Sequence, residues 1–164
     1  MALDGSEYFH STRIQCQHCL RQSDQKGRGH YSHLVVGATL VRAGSHQVLP
    51  IDAEEVRNPT AHSHPQDCEL TAGKRLIVRL RREHPQRALV VIGAELYSHV
   101  PFVEQLQPLR LHYVLVAKPA SHPTLMAAVA AAEAQGVGQQ GQWHEGSGTR
   151  GGGYIRTGSS GSCR

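Results

Sequence analysis

The sequence predicts an α/β domain built on a mixed sheet, with elements in the order β-β-β-α-β-α-β-α. Three observations carry this. Two β-type runs, His33 to Ala43 and Gln47 to Ile51, flank the turn around Gly44 and Ser45; Asp67 to His84 repeats apolar positions at helical spacing; and Ala88 to Gly93 is unbroken apolar sequence. Strand and helix signals alternating in this way are the pattern of a mixed α/β domain. The chain has 164 residues, 39% of them hydrophobic, enough for one core and too many for a wholly disordered chain.

Taken in order, a first short strand runs from Met1 to Phe9, and His33–Ala43 pairs with Gln47–Ile51 as a hairpin. In the helix Asp67–His84 the positions Leu70, Gly73, Ile77 and Leu80 recur at spacings of three and four, giving one buried face. Ser63, Pro65 and Asp67 are its candidate cap and first-turn residues, Arg79, Arg81 and Arg82 complement its dipole, and Pro85 stops it. Ala88 to Gly93 shows no alternation, as expected for a central strand covered on both faces. A helix over Val100–Leu106, a strand over His112–Ala117 and a helix over Thr124–Ala134 complete the series, which fits an RNase H-like sheet.

Composition changes at Gly136. The last 29 residues contain ten glycines with few apolar anchors, so residues 136–164 read as a Gly/Ser-rich tail, disordered or derived from a shifted reading frame, beside a domain of residues 1–135. The net charge of +4, with 12 His besides, favours an anionic partner such as nucleic acid. No apolar run approaches the ~18 residues of a membrane span, and no secretory leader is recognised, so a cytoplasmic location with reduced cysteines is expected.

Three residue groups carry candidate chemistry. Asp4 follows an apolar start and Glu95 follows the central strand; parallel placement of those strands would bring both carboxylates to neighbouring strand ends, as a Mg²⁺ or Mn²⁺ site requires. The simpler reading is a turn at Asp4-Gly5 and a solvated Glu95. Cys16-Gln17-His18-Cys19 has the spacing of half a zinc site, with Cys68 as third ligand and His33, His62 or His64 as fourth; free thiols are the alternative. The polar loop Arg21–Gly29 that follows argues against a redox role for the pair. Lys74, Arg75, Arg79 and Arg82, with Arg81 and Arg87, form a basic cluster that would track a phosphate backbone or simply be a solvated helix face.

Leu3-Asp4-Gly5-Ser6-Glu7-Tyr8-Phe9, Ile14 to Leu20 with its Cys pair, Gln66-Asp67-Cys68-Glu69, Lys74-Arg75, Gly93 to Phe102 and Lys118-Pro119 to His122 occur in an order that resembles the catalytic part of bacterial insertion-sequence transposases of the DDE class. The resemblance covers about residues 1–134. It implies an RNase H-like fold and DNA cutting and strand joining by divalent metals held between two Asp and a later Glu, Asp4 being the first acid. DNA would be the partner, contacted mainly through phosphates, and a homo-oligomer is compatible with this reading.

The chain also departs from that pattern. Relatives carry Asp directly after the glycine ending the central strand, where this sequence reads Gly93-Ala94-Glu95. The third acid has no counterpart in matching context, Glu133 and Glu145 included, and the region that precedes the first acid in relatives is not in this sequence. The expectation is therefore a truncated, inactive transposase remnant. Its alternatives are a non-catalytic DNA-binding protein and a zinc-stabilised structural module.

Overall fold

The computed structural model describes residues 1–60, 62, 65–142 and 154–158. The chain divides into two compact units, Met1–Ala117 and Lys118–Arg164. In the first, strands β1 (Ala2–Ser11), β2 (Leu20–Ser23), β3 (Gly29–Val41) and β4 (Val48–Val56) precede helix α1 (Glu69–Glu83). Strand β5 (Val90–Gly93), a 3-10 turn over Glu95–Tyr97, helix α2 (Val100–Leu106) and strand β6 (His112–Leu115) follow. In the second unit, helix α3 (Pro123–Ala134) precedes an antiparallel pair, β7 (Gly138–Gln142) and β8 (Tyr154–Gly158). That pair falls in the Gly/Ser-rich stretch 136–164, of which residues 143–153 and 159–164 lie outside the described residues, and α3 groups with it. Among the described residues no helix is long and apolar enough to cross a membrane.

The fold is α/β with one mixed six-stranded sheet. β3 is its long spine: β1 runs antiparallel along one edge, and the other edge is shared end to end by β2, opposite Gly29 to Ser32, and β4, opposite Leu34 to Val41. β5 joins β1 in parallel, with Ala2 opposite Ile92 and Leu3 opposite Gly93, and β6 continues in parallel beside β5. Parallel neighbours need a crossover, and α1 and α2 supply the segments between β4 and β5 and between β5 and β6.

Side-chain alternation sorts the sheet into two faces. Leu3, Val36, Ala38, Val56 and Val91 are buried on the face that receives Ala72, Leu76, Ile77 and Leu80 of α1, and Tyr97, Phe102, Leu106 and Leu111 extend the core. Burial at Ala72, Gly73, Leu76, Ile77 and Leu80 is the three-and-four spacing read from the sequence.

Several expected boundaries are corrected. Helix α1 begins at Glu69 rather than Asp67; Cys68 occupies the N-cap without a side-chain bond, and the Asp67 carboxylate instead accepts from the Arg57 and Cys68 amides and from Arg75. Ser63, another expected cap, lies outside the described residues. Leu20–Ser23, assigned in part to a loop, is a strand whose single apolar residue gave no periodic signal. β4 runs five residues past Ile51 because Asp52 and Glu54, which interrupt the apolar pattern, find arginine partners on α1. The central strand is covered on one face rather than two: Val91 and Gly93 are buried, whereas Val90 and Ile92 are exposed by 42% and 40%.

Candidate functional site

Two groupings of chemically capable residues emerge, at different points along β1 and β3. The first lies at Asp4, which is not at a strand end as expected but inside β1, just past the point where β1 stops pairing with β5 and before it runs on to Ser11 beside β3. Because Leu3 opposes Gly93 in the parallel β1–β5 pair, Asp4 and Ala94 stand one residue further along the two strands, on the face opposite Leu3. Ala94 keeps an extended backbone, φ −69° and ψ 178°, so the alternation continues through it. Glu95 then opens the 3-10 turn and leaves that alternation. Asp4 is exposed, and the position beside it is an alanine.

On the other face, Glu69 at the first residue of α1 lies over Gly5, where a Cβ would collide with its carboxylate. Tyr97 Oη donates a 2.9 Å hydrogen bond to Glu69 Oε1. Burial raises the Tyr97 phenol well above its ordinary value, reinforced by the Glu69 bond and by the negative charges of Glu69 and Asp4. Tyr97 is therefore a neutral donor. Neither residue was a sequence candidate; the signal was the close packing that Gly73 and Gly93 allow, since a Cβ on Gly73 would stand 2.8 Å from Tyr97 Cε1.

The second grouping joins Cys16 and Cys19, in the loop between β1 and β2, to His33 on β3. The thiols are 3.5 Å apart, and His33 Nε2 lies 3.4 Å from Cys16 Sγ and 3.3 Å from Cys19 Sγ. All three donors lie within 4.8 Å of one another, a set that could hold a metal ion. Backbone amides point at both sulfurs, His18 N at 3.3 Å from Cys16 Sγ and Cys16 N at 3.2 Å from Cys19 Sγ. The His18 amide lowers the Cys16 thiol below its ordinary range, while burial pushes Cys19 up. Among the described residues the cluster stops at three: Cys68 Sγ instead contacts Thr71 Oγ1 at 3.2 Å, His62 is not part of the cluster, and His64 lies outside the described residues.

Asn58 holds this loop in place, and nothing in the sequence marked it. Its buried amide donates to Cys19 O at 2.9 Å and accepts from Asp67 N at 3.0 Å, and the Asn58 amide N–H bonds His18 O at 3.2 Å. Gln66 adds a strand-like pair of bonds to Arg21, 2.6 Å from Arg21 N and 2.7 Å to Arg21 O.

The basic cluster on α1 is partly neutralised. Arg79 bonds Asp52 Oδ2 at 2.7 Å and also pairs with Glu54. Arg75 bonds Glu54 Oε1 at 2.7 Å and Asp67 Oδ2 at 2.8 Å. The Arg79 guanidinium holds the Asp52 carboxyl below its usual range; burial alone would raise Glu54 and Asp67, but the arginines override it. Both guanidiniums are correspondingly driven further into the charged form. Lys74 and Arg82 form no ion pair among the described residues, and with Arg75, Arg79 and Glu54 they line an open groove of about 460 Å³.

The chain matches no family model, and no curated protein or solved structure matches it.

Proposed function

We propose that this chain is a DDE transposase-like domain of RNase H-like architecture whose ancestral reaction was metal-dependent phosphodiester hydrolysis and strand transfer on DNA, and that it is catalytically silent. The observation that carries this reading is the parallel pairing of β1 with β5 inside the sheet order β4-β3-β1-β5-β6, with Leu3 opposite Gly93. Open α/β sheets bind ligands beyond the carboxyl ends of their parallel strands; Ala94 follows the carboxyl end of β5, and Asp4 is the first residue of β1 past its parallel pairing with β5, although β1 itself continues to Ser11.

The residues present do not fit a Mg²⁺ or Mn²⁺ pair. Two cations about 3.5–4 Å apart need several convergent oxygen donors, and Ala94 offers none beside Asp4. Glu95 sits in the turn beyond, and Glu69 lies over the opposite face, bonded to Tyr97. What remains of the ancestral function is contact with DNA, supported by Lys74 and Arg82 on the exposed side of α1.

A nicking assay on supercoiled DNA with Mg²⁺ or Mn²⁺ tests the reading. The unchanged chain should bind duplex DNA at low salt and produce no cation-dependent nicks. Robust nicking that Asp4→Ala abolishes would overturn the silent state, and absence of DNA binding at low salt would overturn the DNA partner. A second reading, a zinc-stapled structural module, is favoured by a separate observation, the convergence of Cys16, Cys19 and His33.

A further inference from the structure

We propose that Cys16 Sγ, Cys19 Sγ and His33 Nε2 are three ligands of a tetrahedral Zn²⁺ site whose fourth position is open to water, with Glu55 as the outer carboxylate that orients His33. This deepens the stapled-module reading and is independent of the transposase-like one.

The geometry of the donors is the first argument. They form a near-equilateral triangle with sides of 3.5, 3.4 and 3.3 Å. Ligands of a tetrahedral zinc with Zn–S about 2.3 Å and Zn–N about 2.0–2.1 Å stand about 3.5–3.8 Å apart, so a small outward movement of each donor suffices. The donors also come from separate segments that meet only through tertiary structure. A Cys-x-x-Cys loop closed by Cys19 N bonding Cys16 O at 3.4 Å brings the thiols together, and β3 delivers the imidazole. Thiolate with imidazole is a soft and borderline donor set that selects zinc over the hard cations Mg²⁺ and Ca²⁺.

The surroundings of the donors are the second argument. The amides of His18 and Cys16 donate to the two sulfurs and so favour thiolate over thiol. On the far side of the imidazole, His33 Nδ1 is buried without a hydrogen-bond partner, and Glu55 Oε1 lies 3.7 Å from it. Coordination through Nε2 fixes the proton on Nδ1, and a metal-bound histidine commonly donates that N–H to a carboxylate. Glu55 is already held for this role by Tyr8 Oη at 3.0 Å. Tyr8 is the extra residue of a β-bulge in β1, between the pairs Glu7–Leu34 and Phe9–His33, and its ring stacks on His33 with centroids 5.7 Å apart. A bulge re-aims one side chain, and here it directs Tyr8 onto both the ligand and its carboxylate.

Cys16 is exposed while Cys19 is buried, so the metal would sit at the surface and its fourth position would face solvent. The ion would tie the β1–β2 loop to β3 four positions along the strand from Gly37, the partner of Asp4, and hence away from Asp4 and Ala94.

The test uses the reduced, metal-free full chain, titrated with Zn²⁺ against a chromophoric chelator and separately with Co²⁺. One equivalent of zinc should bind, and Co²⁺ should give the intense ligand-field and sulfur-to-metal charge-transfer absorption of a tetrahedral thiolate site, shifted by added imidazole. Cys16→Ser and His33→Ala should lose stoichiometric uptake, Cys68→Ser should keep it, and Glu55→Gln should weaken it by about 10- to 100-fold. Sub-stoichiometric zinc in the unchanged chain, or a Co²⁺ spectrum of octahedral oxygen ligation, would overturn the site without any variant needing to fold. Full uptake by Cys16→Ser would overturn the ligand assignment, and an imidazole-insensitive Co²⁺ spectrum would overturn the open position.

Discussion

Tyr97 Oη bonds Glu69 Oε1 at 2.9 Å while the edge of the same ring rests on Gly73, one turn further along α1. The turn after β5 is thus locked to the helix by a hydrogen bond and by a contact that leaves no room for a methyl group.

Gly73→Ala should therefore destabilise the protein although alanine is the better helix former by about 1 kcal/mol. A Cβ 2.8 Å from Tyr97 Cε1 forces a buried ring to move, and overpacking of this kind costs about 1–3 kcal/mol, so the steric effect wins. Urea denaturation measures this. The double variant Gly73→Ala with Tyr97→Leu should recover part of the loss, and an undiminished or increased stability of Gly73→Ala alone would show that the ring is not so confined.

Asn58→Ala should cost about 1–3 kcal/mol, because it leaves the Cys19 carbonyl and the Asp67 amide without their partner in a buried place. Loss of Asn58 also frees the loop carrying both thiols. Denaturation together with thiol-reagent kinetics checks both effects: lower stability and faster modification of Cys19 are expected, and unchanged Cys19 reactivity would contradict the clamp.

The ion pairs between α1 and β4 set a sign for acid stability. Asp52, Glu54 and Asp67 have folded-state values below the ordinary 3.8 for Asp and 4.5 for Glu. Their contribution is present above those ordinary values and is lost as pH falls through the lowered ones. Arg79→Met should remove about 1–2 kcal/mol at neutral pH and flatten the pH dependence of stability below about pH 4.5. An unaltered acid limb in the variant would mean that Asp52 and Glu54 do not depend on Arg79.

Charge spent within the fold is withheld from a partner, so Lys74 and Arg82 should dominate any DNA contact over Arg75 and Arg79. Each phosphate that a cation neutralises adds about 0.9 to the dependence of log affinity on log salt, so replacing both Lys74 and Arg82 by Ala should lower that slope by about 2. Fluorescence anisotropy at several salt concentrations reads this directly. An unchanged slope would place the DNA interface elsewhere.

The helices were legible because a single buried stripe writes itself into local spacing: α2 spans Val100–Leu106 as read, and the buried positions of α1 follow the expected repeat. The sheet was less legible where its stability comes from distant partners. Asp52 and Glu54 look like the end of a strand until Arg75 and Arg79 are brought to them, and β2 depends on pairing with β3 that its four residues do not announce. In the cluster that could hold a metal ion the Cys pair and His33 were readable from residue type and spacing. Cys68, expected beside them, is held at the start of α1, and Asn58, Glu55 and Tyr8 contribute through tertiary interactions that no local motif encodes.

The transposase-like reading depends most on Asp4 and Ala94 standing side by side on one face of β1 and β5, just past their last parallel pair, Leu3 and Gly93. Mn²⁺ binding followed by electron paramagnetic resonance in the unchanged chain, Ala94→Asp, and Ala94→Asp with Asp4→Asn tests this. Two carboxylates on adjacent parallel strands, about 4.8 Å apart, would form a cation site that one carboxylate does not. Ala94→Asp alone should therefore acquire stoichiometric Mn²⁺ binding, and Asp4→Asn should remove it. A folded Ala94→Asp variant that binds no more Mn²⁺ than the unchanged chain, or binding that survives Asp4→Asn, would contradict the juxtaposition.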